Sequence, residues 1–166
     1  MTLPSYKIGA YLLRPAVAND NALAALWNDR DPDHAWEGQN PTYWTEQREN
    51  AENYVLEDWA GIVFFLKIIR QIKRPECIEV SMQFSPKAHQ HFDLRTTRAI
   101  GVGFAWLLKA LAANGVRDLY FSSRSVPLIN FAQVKWGFQK ANDDPISAEA
   151  GFGRYHRTIE PERTPA

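Results

Sequence analysis

The chain has 166 residues, enough for one ordinary domain with its own core, and 45% of them are hydrophobic. Lys plus Arg and Asp plus Glu each number 19, so the formal net charge is zero. That balance gives no general attraction to nucleic acid or to an anionic membrane, and any anionic ligand must find a local site. The single cysteine, Cys77, excludes an internal disulfide and suits a reducing cytoplasm.

The first 17 residues lack an uninterrupted apolar core of signal-peptide type. No apolar run approaches the ~20 residues that cross a membrane. The expectation is a soluble cytoplasmic protein with no membrane and no nucleic-acid partner. Residues 1–160 read as one domain and 161–166 as a flexible tail.

Tyr11–Leu13 reads as a strand stopped by Pro15. Asn19 or Asp20 can cap the helix that follows, with Leu23, Leu26 and Trp27 on its apolar face. Residues 28–42 are rich in turn formers and read as a loop, and Tyr43–Asn50 as a second short helix. Tyr54–Leu56 and Ile62–Ile69 read as a hairpin. Ile78, Val80, Met82 and Phe84 alternate with Glu79, Ser81 and Gln83, the period of a half-buried strand that Pro86 ends. Phe104, Leu107, Leu108 and Leu111 then mark the clearest amphipathic helix, stopped at Asn114-Gly115. Leu119–Phe121 is a strand, Pro127 opens a helix that ends before Gly137, and Phe138–Lys140 and Arg154–Ile159 close the chain as strands. These elements predict an α/β (α+β) fold: a mostly antiparallel sheet with helices packed on it, and a parallel crossover over 78–121.

The segment Arg98-Ala99-Ile100-Gly101-Val102-Gly103 reads as the turn that opens the strong helix. Helix N-termini offer unpaired N–H groups and partial positive charge. Glycine lets backbone come close to a ligand, and Arg95 and Arg98 add fixed charge. Together they suit a pyrophosphate. The plainer reading is a turn that only helps the helix pack on the sheet.

Arg98, Gly101 and Gly103 match the Gln/Arg-x-x-Gly-x-Gly/Ala signature, and Trp136-Gly137-Phe138 matches the Gly-Phe that ends the fourth helix, of the GNAT acetyltransferases. The chain resembles that superfamily over roughly residues 11–159. The resemblance implies a GNAT-like mixed sheet of about 6–7 strands flanked by about 4 helices. It implies transfer of an acetyl group from acetyl-CoA to an amine, with Met82, Gln83 and Phe84 beside the pantetheine arm. Arg95, Arg98, Ala99, Ile100, Gly101, Val102, Gly103 and Phe104 would hold the phosphates, and Gln133 would lie on the cofactor side of the cleft. The family pattern places Tyr and Asn where this chain has Gln133 and Val126, and neither type is kept.

A lysine-like amine attacks only when neutral, and its pKa near ~10.4 calls for a base. Glu79, on the polar face of its strand, is the candidate; an exposed, charge-balancing carboxylate is the plain alternative. Gln133 cannot act as a proton acid, so Tyr120 and Ser122, at the end of the preceding strand, are the candidates to substitute, unless Tyr120 is a core aromatic. Cys77 has no evident partner and is not nominated as a nucleophile. No metal is expected: His89, His91 and Asp93 have ligand chemistry but no further His or Cys cluster nearby, and His34 among Asp31 and Asp33 reads the same way. Trp27, Trp36, Tyr43, Trp44 and Trp59 either line the acceptor pocket or fill the core, and Asp29, Asp31, Asp33 and Glu37 either attract a cationic acceptor or form a wet loop. The expected partner is a small-molecule or protein amine, with a homodimer as a compatible assembly. The competing reading is a non-catalytic module on the same fold that binds CoA or a protein.

Overall fold

The computed structural model describes residues 3, 5–30, 42–90, 92–141 and 153–161. Eight strands form one sheet: β1 (Tyr6–Ile8), β2 (Tyr11–Pro15), β3 (Ala51–Asp58), β4 (Gly61–Gln71), β5 (Arg74–Phe84), β6 (Asp118–Ser123), β7 (Gln139–Ala141) and β8 (Gly153–Thr158). Their order is β1-β2-β3-β4-β5-β6-β8-β7. Only β5 and β6 run parallel, and every other neighbouring pair is antiparallel. The helices are α1 (Asn21–Arg30), α2 (Pro86–Gln90), α3 (Leu94–Ala113) and α4 (Val126–Trp136), with a 3-10 turn at Ala18–Asp20 before α1. The mixed, mostly antiparallel sheet and the parallel crossover through α3 are as the sequence predicts. No helix among the described residues is long and apolar enough to cross a membrane.

Period-two alternation sorts the strands into two faces. On one face Tyr54, Leu56, Phe64, Ile78, Val80 and Leu119 are buried against Ile100, Leu107 and Leu111 of α3 and Leu128 of α4. On the other, Val55 and Phe65 pack with Ala24 and Trp27 of α1 and with Trp44. Each such side chain contributes roughly 1.5–3 kcal/mol of burial. The Trp-Gly-Phe motif joins α4 to this frame. Trp136 stacks on Phe104 of α3 with centroids 3.7 Å apart, and Phe138 meets Phe121 edge-on at 4.9 Å. Gly137, at φ +68°, makes the left-handed exit between them, which a side chain would strain.

Four expectations are corrected. The sheet has eight strands because Tyr6–Ile8 pairs with β2. Tyr43–Asn50 is not a helix: Gln47 bonds the Asn53 backbone through both its amide atoms, and Asn53 Nδ2 donates to the Tyr43 and Glu46 carbonyls, which fixes a loop. In α1, Leu26 is exposed, and Ala24, Trp27 and Asn28 are the buried residues. Most consequential, residues 98–103 are not a turn. Asp93 is the N-cap of α3, its Oδ1 accepting from Thr96 N at 2.7 Å, so the glycines lie well inside the helix.

Candidate functional site

Strands β5 and β6 pair only from Cys77↔Asp118 to Val80↔Phe121. Beyond that rung Ser81–Phe84 pairs only with β4, and Ser122 and Ser123 pair only with β8. The two strands part, and backbone N–H and C=O groups of Ser81–Phe84 face a gap. Gln83, fully buried, turns its Nε2 onto the Phe84 carbonyl at 2.9 Å. Such an edge can pair with an extended, amide-bearing arm.

On the face away from α3, the register lays polar residues in rows across β5, β6 and β8. Cys77, Asp118 and Thr158 form one row, and Glu79, Tyr120 and His156 the next. Ser81, Ser122 and Arg154 form the third, with the gap between Ser81 and Ser122. The structure therefore brings the catalytic candidates Glu79, Tyr120 and Ser122 to one face beside the gap.

These groups touch one another. The Arg154 guanidinium lies over the Tyr120 ring at 4.3 Å, and its NH2 stands 3.9 Å from Glu79 Oε2. His156 Nε2 meets Asp118 Oδ1 at 2.8 Å, and its ring is tilted against Tyr120 with centroids 4.6 Å apart. Ser122 Oγ and Arg154 Nε are buried without a hydrogen-bond partner. Burial pushes the Cys77 thiol up, which keeps it protonated and unreactive. Arg154, His156 and Asp118 were not identified from sequence. The polar alternation Arg154, His156, Thr158 was the available signal, but only the insertion of β8 beside β6 gives it meaning.

The diphosphate candidates are placed differently. Ala99 and Ile100 are fully buried and Phe104 nearly so, in the core under α3. Gly103 is a packing glycine: a Cβ there would stand 2.8 Å from Phe64 Cζ. Arg95 is taken up by Asp58, with bonds of 2.7 and 2.8 Å, and by the Gly61 carbonyl. Arg98 and Gln133 are exposed and Val102 half-buried, while a Cβ on Gly101 would meet nothing within 4 Å. For acyl-CoA the fit divides. The open edge of β5 suits the pantetheine arm. The diphosphate end does not fit in this helix register, because the amides of residues 98–103 are bonded within α3 and its true N-terminus is already capped by an acid.

Among the other aromatic candidates, Trp27 and Trp44 are core residues, Tyr43 packs beside them, and Trp59 is 87% exposed on the β3–β4 turn. Trp36, His34, Asp31, Asp33, Glu37 and His91 lie outside the described residues, as does the tail beyond Pro161. Among the described residues no group of three or more His, Cys, Asp or Glu is arranged to hold a metal.

No family model and no curated protein matches the sequence. Solved structures do match. The ribosomal-protein-S5-alanine acetyltransferase from Vibrio fischeri superposes with a TM-score of 0.63 over 98% of this chain and 100% of that one, at 14% identity. The GNAT domain of S. lividans PAT gives 0.63 over 91% and 92%, at 11% identity. The ribosomal-protein-S18-alanine N-acetyltransferase from Escherichia coli gives 0.60 over 94% and 99%, at 14% identity. An eight-stranded sheet that opens after its one parallel pair among the described residues, backed by α3 and α4 and matched by these structures over 91–98% of the chain, is the GNAT acetyltransferase fold.

Proposed function

We propose that this protein is an acyl-CoA-dependent N-acyltransferase that moves an acetyl group to an amine by direct attack. The observation that carries this reading is the gap between β5 and β6, flanked on one face by Glu79, Tyr120 and Ser122. Neighbours of the same fold that are named acetyltransferases support it. Acetyl-CoA, when bound, supplies the activated acyl group. Backbone donors of Ser81–Phe84 line the gap and can stabilise developing negative charge there. Glu79 takes the proton from the incoming amine as the C–N bond forms, and the Tyr120 hydroxyl on the same row would protonate the thiolate released as the C–S bond breaks. His156, held by Asp118 and packed on Tyr120, positions that ring. The buried, protonated Cys77 takes no covalent part.

Calorimetric titration with acetyl-CoA and CoA tests the reading, with Gly101→Asp as control. The Cβ at position 101 meets open space, so this substitution leaves the fold intact and reads ligand contact alone. Micromolar binding by the intact protein is expected. A fall of at least about tenfold on adding the carboxylate would put the diphosphate on the outward face of α3 near Arg98, and an unchanged affinity would put it elsewhere. No binding by the intact protein sinks the enzyme reading and leaves the fold, and the protein-partner alternative takes its place.

A further inference from the structure

We propose that the acceptor amine is an amino acid, whose carboxylate is anchored by Arg154 with Ser122 as a second donor; this deepens, and rests on, the acyl-transfer reading above. Arg154 projects from β8 on the face that carries Glu79 and Tyr120, and its side chain is only 16% exposed. A guanidinium so far removed from water ordinarily has a hydrogen-bonded carboxylate partner. Here, among the described residues, the nearest carboxylate oxygen, on Glu79, stands 3.9 Å from NH2, beyond hydrogen-bond reach, and the buried Nε has no acceptor. The Tyr120 ring beneath the guanidinium fixes its plane but satisfies none of its N–H groups.

Ser122 is the register partner of Arg154 across β6 and β8, and its Oγ is also buried without a partner. Register partners on one face hold their Cβ atoms about 5 Å apart. Two orphaned donors therefore meet on a single rung, at the edge of the gap. Leaving each unsatisfied costs about 1–3 kcal/mol, a cost that an arriving acceptor group would remove.

The surroundings select the ligand. Glu79 adjoins Arg154, and Asp118 lies on the same face two rungs away, so a dianion such as a phosphate monoester meets repulsion that a monoanionic carboxylate meets less. Glu79 is also the group assigned to the amine. With base and anchor separated by 3.9 Å, one compact molecule can present its amine to Glu79 and its carboxylate to Arg154. That describes an amino acid rather than a long polyamine or a lysine side chain within a protein.

The test is a ligand-observed NMR titration of free and N-acetylated amino acids, each paired with its own carboxamide, so that only the charge differs. At least one acid is expected to bind about tenfold more tightly than its amide. Arg154→Gln should erase that preference. Ser122→Ala removes a hydroxyl that bonds nothing, so it should fold as well as the parent protein and still weaken the acid; a purely structural serine would leave the acid's affinity unchanged. If no pair discriminates, or if Ser122→Ala and a folded Arg154→Gln both keep the full preference, the proposal is overturned. The acetyl-CoA titration is a separate measurement, so loss of the cofactor reading and loss of the carboxylate site give different patterns.

Discussion

Gly101 and Gly103 sit two residues apart in one helix and have opposite surroundings. At 103 a Cβ would meet Phe64 Cζ at 2.8 Å and Leu56 Cδ1 at 3.0 Å, both in the core that joins α3 to the sheet. Gly103→Ala should therefore destabilise the protein by about 1–3 kcal/mol through overpacking. At 101 the space is open, and Gly101→Ala should stabilise it by about 0.5–1 kcal/mol, the ordinary gain from removing a helix-interior glycine. Urea denaturation of the two variants checks the sign at each site, and equal effects would contradict the packing described. The same pair shows what the motif alone conveys. Two glycines after an arginine signal close approach of backbone to something. Here, at 103, that something is the Phe64 ring, and no local rule of sequence separates a ring from a phosphate.

At the scale of elements, the start of α3 decides how the candidate site reads. Asp58, 4% exposed in its side chain, takes a two-pronged bond from Arg95 and ties the β3–β4 turn to the first helical turn. The Arg95 hydrogen bond holds the Asp58 carboxyl below the usual carboxylate range. The stabilisation is thus present above the unfolded pKa near ~3.9 and is lost as pH falls through the lower folded value. Arg95→Ala should cost about 1 kcal/mol at neutral pH after solvent screening, and flatten the acid limb of the stability–pH curve. Denaturation across that limb checks it, and a limb of unchanged steepness would place the titrating group elsewhere. Residues 98–103 read in the sequence as a turn because Gly101 and Gly103 follow Arg98. They extend the helix because Asp93 caps it and Thr96, Ala99 and Ile100 gain burial. The strand Ile78–Phe84, by contrast, was plain in sequence, since one of its faces meets the core and the alternation records that directly.

Across the whole molecule the sheet is covered unequally. Helices α3 and α4 cover one face, while α1 with Trp27 and Trp44 packs on the other against Val55 of β3 and Phe65 of β4 and also lies against β5. Hydrophobic pattern made the layers legible. The placement of β8 between β6 and β7 was not, because it depends on pairings between distant segments, and with it went Arg154 and His156. The unequal cover also settles which aromatic residues of the first third are structural. Trp27 meets the Phe65 ring edge-on at 5.5 Å and is 9% exposed, and Trp44 is 1% exposed. Trp27→Ala removes most of the apolar bulk of α1 from that cluster and should cost about 3 kcal/mol. Because the Trp27 ring itself packs on Phe65 of β4 and not on Glu79, Tyr120, Ser122 or Arg154, the variant, measured where it is still folded, should keep the acetyl-CoA affinity and acid-over-amide preference of the parent protein. A fall in urea midpoint with both affinities unchanged assigns Trp27 to the core. An unchanged midpoint with a weakened carboxylate would instead assign it to the acceptor pocket.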